Sequence, residues 1–113
     1  MHATGREVTV MSQSVFHLLG RTLHAAQRDR IGAVRDVLTD ADNGVPEWLL
    51  VDVTSVRGLR AVPLAGVRNK DGSLSTTFTA NEIQRSPPIA DVAPLGLESE
   101  RRLLRYWDLI RGR

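Results

Sequence analysis

Apolar and polar residues alternate in short runs through the first two thirds of the chain, and a helical spacing takes over only near its end. Arg21 to Gln27 reads as a short first strand, punctuated by Asp29 and Gly32. Ala33 to Asp40 sets Val34, Asp36, Val37 and Leu38 in the near-alternation of a half-buried strand. Asp42-Asn43-Gly44 marks a hairpin, because Asn and Gly both tolerate positive φ. Trp48 to Val53 is nearly all apolar, as in a central strand buried on both faces. Arg57-Gly58 is the next turn, and Leu59 to Leu64 a fourth strand whose Pro63 requires an edge or a bulge. Lys70-Asp71-Gly72 is a further hairpin turn, and Leu74 to Phe78 a fifth strand. Short strands at this spacing predict a small barrel or sandwich. No helix long enough for a crossover lies between them, so the sheet is expected to be antiparallel.

The last third differs. Thr79-Ala80-Asn81-Glu82 fits a capping box that starts a short helix, which must stop before Pro87-Pro88. Ile89 to Leu95 reads as an extended connector. Gly96 to Arg111 is helical: Leu103, Leu104, Trp107 and Ile110 recur at i, i+1, i+4 and i+7 and form one apolar face. Glu98 and Glu100 suit the positive end of the helix dipole and Arg111 the negative end, with Gly112 as the residue past the helix.

With 113 residues the chain has room for one domain. Residues 1–14 are expected to be a disordered tail, 15–95 the β domain and 96–113 the closing helix; Met11 is an alternative start. The absence of cysteine excludes disulfides, thiolate metal sites and cysteine nucleophiles. A pI near 9.9 suggests nucleic acid, yet net charge is only +2. Lys70 is the single lysine, and the high pKa of arginine accounts for the pI. No apolar run reaches the length of a membrane span and no secretory leader is visible, so the cytoplasm is the expected location.

The chemical motifs are few. Asp40 to Gly44 glances at a calcium loop, but glycine falls one position early and the twelfth position is Val51. His2, His17 and His24 have no metal-ligand spacing. No Gly-x-Ser-x-Gly elbow and no glycine-rich phosphate loop occurs. Asp36 and Asp52 lie within apolar strands and read as solvent-facing or paired with Arg35, Arg57 or Arg60. No catalytic residue, cofactor site or metal site is expected.

Taken in order, Leu19-Gly20-Arg21, Ile31-Gly32-Ala33-Val34-Arg35-Asp36-Val37-Leu38, Gly44-Val45-Pro46-Glu47-Trp48, Val62-Pro63-Leu64 and Phe78 through Pro87 resemble the PRC-barrel family. The final helix, Glu98 to Leu109, is similar to the one that trails the barrel in stand-alone actinobacterial members. The resemblance implies a small, partly open, antiparallel β-barrel. That fold is shared with the cytoplasmic domain of the photosynthetic reaction centre H subunit and the C-terminal domain of a ribosome-maturation factor. It implies scaffolding rather than catalysis. Asp29-Arg30 departs from the Asp-Gly of many members. The sequence shows neither a transmembrane helix nor an RNA-linked domain, so those two roles do not follow from the barrel.

The expectation for function is therefore a non-enzymatic protein-interaction or scaffolding module that forms a homodimer and binds another protein. Arg102, Arg105, Tyr106, Trp107 and Ile110 are the candidate contact residues, with Trp48 a lesser one. Two placements of the last helix stay open: on its own barrel, or on a second copy or partner. The alternative function is an RNA- or ribosome-associated factor. It would use Arg101, Arg102, Arg105, Arg111 and Arg113, although Glu98, Glu100 and Asp108 interleave with them. A ligand in the barrel mouth ranks last, since a chain this short leaves little room for a pocket of ~300 Å³.

Overall fold

The structure is a computed structural model in which residues 17–39, 45–70, 73–89 and 96–112 are described. The tail expected over residues 1–14, the hairpin turn at Asp42-Asn43-Gly44 and the calcium-like segment from Asp40 lie outside them. So do His2, Asp71, Gly72 and most of the connector to Leu95. The strands are β1 (Thr22–His24), β2 (Arg30–Thr39), β3 (Pro46–Val53), β4 (Leu59–Pro63), β5 (Arg68–Lys70), β6 (Ser73–Ser75) and β7 (Pro88–Ile89). Helix α1 (Ala80–Arg85) precedes β7 and helix α2 (Leu97–Arg111) follows it.

The molecule is mainly β, with one mixed sheet in the order β5-β6-β1-β2-β3-β4-β7 that does not close. The expectation of an antiparallel sheet needs correction. β1 and β6 run parallel, Leu23 beside Leu74 and His24 beside Ser75. A parallel neighbour needs a long return path, and here the intervening strands β2 to β5 supply it in place of a helix.

The centre of the sheet is the long β2–β3–β4 ladder. Ile31, Val34 and Leu38 of β2, Trp48 to Val51 and Val53 of β3, and Ala61 and Val62 of β4 are buried together. Asp52 interrupts the buried run of β3. It is exposed and accepts a hydrogen bond from Arg35 at 3.4 Å across the ladder. A bulge between Val34 and Asp36 explains why Val37 and Leu38 break strict alternation. Gly32 is fixed by close approach: a Cβ there would lie 1.9 Å from the Asp52 carbonyl oxygen, inside any contact distance. The turn at Arg57-Gly58 is present, with Gly58 at φ +89°.

Three assignments shift at the flanks. β1 is shorter than the run from Arg21 to Gln27, because Arg28 at φ 74° turns the chain back and Ala25 N–H closes the turn on the Asp29 carbonyl at 2.7 Å. β5 is a strand with no apolar residue to announce it. β7 occupies the start of the expected connector, its Pro88 tolerated because the strand forms the sheet's edge.

Helix α1 carries the expected capping box. Glu82 N–H donates to Thr79 Oγ1 at 3.1 Å, and Thr79 N–H donates to Glu82 Oε1 at 2.9 Å. Helix α2 starts at Leu97 with Gly96 as its cap. Gly112 remains right-handed at φ −75°, so its glycine is not required by a left-handed turn.

Candidate functional site

Helix α2 lies against the sheet of its own chain. Of the residues expected on its apolar face, Leu103 and Trp107 are buried and Ile110 is half-buried against the core. Leu104 is not on that face; it is 45% exposed. Trp107 packs on Phe78 with ring centroids 4.5 Å apart, and Tyr106 meets it edge-on at 5.0 Å. The Tyr106 hydroxyl donates to the Glu82 carbonyl at 2.5 Å, which ties α2 to α1.

The ladder explains why an indole is needed at position 107. Leu64 N–H donates to the Glu47 carbonyl at 2.9 Å, so the backbone groups of Val62 and Leu64 face β3. Those of Ala61 and Pro63 face the other way. On that side β7 pairs only with Leu59 and Arg60. The Ala61 carbonyl thus faces an edge without a strand among the described residues, and Trp107 Nε1–H donates to it at 3.1 Å. Pro63 has no N–H to satisfy there, so its edge placement follows directly. Helix α2 closes the sheet edge that β7 is too short to cover.

The other sides of α2 have no such neighbour among the described residues. At ~100° per residue, Leu97, Arg101, Leu104, Asp108 and Arg111 fall on one flank, and Glu98, Arg102, Arg105 and Leu109 on the next. All nine are exposed, Leu97 and Leu109 by 66% and 68%. Among the described residues Arg35 and Asp52 form the one ion pair, so the α2 arginines have no carboxylate partner there. The five candidate contact residues therefore do not form one surface. Arg102 and Arg105 are exposed, Tyr106 and Ile110 are half-buried, and Trp107 is part of this chain's core. Of the two placements left open for the helix, the structure has the one on its own chain. Leu97 and Leu109 were visible in the sequence only as leucines out of phase with the buried face.

No protein-family model matches this chain, and no curated protein matches it.

The remaining candidates resolve into structural roles. Asp36 accepts from the Val37 N–H at 2.8 Å, and Trp48 is buried in the core. His24 Nδ1 lies 3.3 Å from the Leu74 carbonyl, which can only accept, so that nitrogen carries the hydrogen. No cluster of three or more metal-ligating side chains occurs among the described residues. A groove of about 580 Å³ opens beside the parallel β1–β6 pair, lined by His24, Ala25, Ala26, Arg28, Ser73, Ser75 and Thr76. Chain length therefore does not exclude a ligand-sized space.

Arg60 is the feature that sequence reasoning missed. Its guanidinium is buried without a carboxylate and donates instead to carbonyls: Nη1 to Arg57 at 3.0 Å and Leu59 at 3.4 Å, Nε to Gln84 at 3.4 Å. Burial lowers its pKa from the ordinary guanidinium value, though an arginine stays protonated at any physiological pH. Gln84 lies in the last turn of α1, where carbonyls are unpaired and the helix dipole favours a cation. Arg60 thus clamps the β3–β4 turn to α1, and Gln84 Nε2 reinforces the joint by donating to Ser55 Oγ at 2.7 Å. No local pattern marks such a residue, because its partners are carbonyls from two segments, the turn into β4 and the end of α1.

Proposed function

We propose that this chain is a non-catalytic, PRC-barrel-like interaction module of the cytoplasm that works as a homo-oligomer. The observation that carries the reading is the division of α2. Its Leu103–Trp107 side is occupied by the fold, and its outer sides still expose Leu97, Leu104 and Leu109. We read these exposed leucines as the apolar part of a contact with a second protein surface. The ordered resemblance to PRC-barrel segments supports the scaffolding role, and Gly32 within the Ile-Gly-Ala-Val segment answers to a close approach of β3. The test is light scattering of the purified chain over a wide concentration range. A mass that rises to twice the chain mass supports the reading; a monomer at the highest attainable concentration overturns it.

A second reading, an RNA-associated factor, draws on the exposed arginines of α2 that lack carboxylate partners among the described residues. It requires RNA binding whose logarithmic affinity falls linearly with the logarithm of salt concentration. Salt-independent binding, or none, defeats it.

A further inference from the structure

The proposed self-association can be placed on a specific surface, because one flank of α2 is complementary to itself. Leu97, Arg101, Leu104, Asp108 and Arg111 follow one another at intervals of four, three, four and three residues, the spacing of a single stripe along a helix. Leu104 stands at the midpoint of a helix that runs from Leu97 to Arg111. Two such helices laid antiparallel about a two-fold axis through Leu104 bring Leu104 onto Leu104 of the second copy. The same operation sets Arg101 beside Asp108 of the second copy, and Asp108 beside its Arg101. Leu97 meets the aliphatic stem of Arg111. A two-fold interface uses one patch twice, so every residue on it must be compatible with its symmetry mate. This stripe meets that condition with three apolar contacts, Leu104 on Leu104 and Leu97 on Arg111 twice, and two opposite-charge pairs.

The neighbouring flank does not. Glu98, Arg102, Arg105 and Leu109 share a similar spacing, but a two-fold axis through that stripe's centre sets Arg102 against Arg105 of the second copy, and like charges repel. The parallel arrangement of the first stripe fails too, since it stacks Arg101 on Arg101 and Asp108 on Asp108. We infer that two copies of this chain associate through an antiparallel pair of α2 helices, with Leu104 on the two-fold axis and Arg101–Asp108 pairs on either side of it. The occupant of this face is therefore a second copy of the chain. Arg101 and Asp108 are exposed and outside the core, so they can be exchanged without disturbing the fold.

This inference rests on the self-association reading and fails separately from it. The experiment is a charge swap in the full-length chain. Arg101→Asp gives acids at both positions of the charge pair, and Asp108→Arg gives arginines at both. Each variant alone should dimerise at least about tenfold more weakly than the parent at low salt, with an unchanged melting temperature at concentrations where all are monomeric. Mixed one to one, they should form a heterodimer of parental affinity, read by native mass spectrometry. The double variant Arg101→Asp/Asp108→Arg should regain homodimerisation. A parental dimer that persists in both single variants, or a mixture that forms no heterodimer, overturns this interface while leaving self-association standing. A parent that is monomeric overturns both.

Discussion

The two sides of helix α2 come from one stretch of sequence and meet different surroundings. On the inner side, Trp107 is buried, its rings pack on Phe78 and Tyr106, and its N–H reaches the Ala61 carbonyl on an edge that no described strand covers. On the outer side, leucines and arginines alternate in the open. The sheet repeats the contrast. The β2–β3–β4 ladder is long, antiparallel and buried, whereas the β5–β6 hairpin hangs on a short parallel register with β1 beside a groove. The first kind of region holds the fold together, and the proposed self-association draws on the exposed side of α2. A residue's role here follows from what faces it more than from its own type: Leu103 and Leu104 are adjacent and identical, yet one is buried and the other is not.

Substitutions can break or sharpen this contrast, and the largest effect is expected in the ladder. Gly32→Ala forces a methyl group into the Asp52 carbonyl. It should cost about 4 kcal/mol or more, read as loss of the cooperative transition in urea or as failure to accumulate folded protein. Trp107→Ala comes next. It empties the space against Phe78 and leaves the Ala61 carbonyl without its donor, so ~3–5 kcal/mol is expected. Unchanged stability would mean that the helix is not part of the fold. Tyr106→Phe removes the hydroxyl and with it the bond to the Glu82 carbonyl. It should cost about 1 kcal/mol and speed amide exchange at the α1–α2 contact. Arg28→Gly reverses the sign: a left-handed position now held by a side chain becomes natural, and a gain of ~0.5–1 kcal/mol in thermal unfolding is expected.

Features set by near neighbours were legible in the sequence. The Thr79–Glu82 capping box, the Arg57-Gly58 turn and the buried run from Trp48 depend on residues only a few positions apart. Pro63 was legible as an edge signal because proline lacks an N–H whatever surrounds it. Features set by distant partners were not. The parallel β1–β6 register joins segments separated by four other strands. β7 exists only because Leu59 and Arg60 offer it an edge. Arg60 looked like one more arginine among many, since nothing local reveals that it would be buried among carbonyls. On α2 the periodicity identified the helix but could not rank two neighbouring leucines. The contact with Phe78 and Ala61 fixes the rotation of the helix and turns Leu104 outward. For the same reason Trp107 reads in sequence equally as a core residue or as an anchor for a partner, and the structure has it against the fold's own edge.

The smallest effect on stability and the largest on assembly should come from Leu104→Glu, which leaves the core untouched and sets two carboxylates face to face on the proposed two-fold axis. Sedimentation velocity of the parent and of this variant, with thermal unfolding of the same samples in the monomeric range, tests the division of α2 most directly. The account predicts a parent that dimerises with concentration and a Leu104→Glu chain that stays monomeric, with unfolding free energies equal within about 0.5 kcal/mol. A variant that dimerises like the parent, or one that loses stability as Trp107→Ala does, would contradict it.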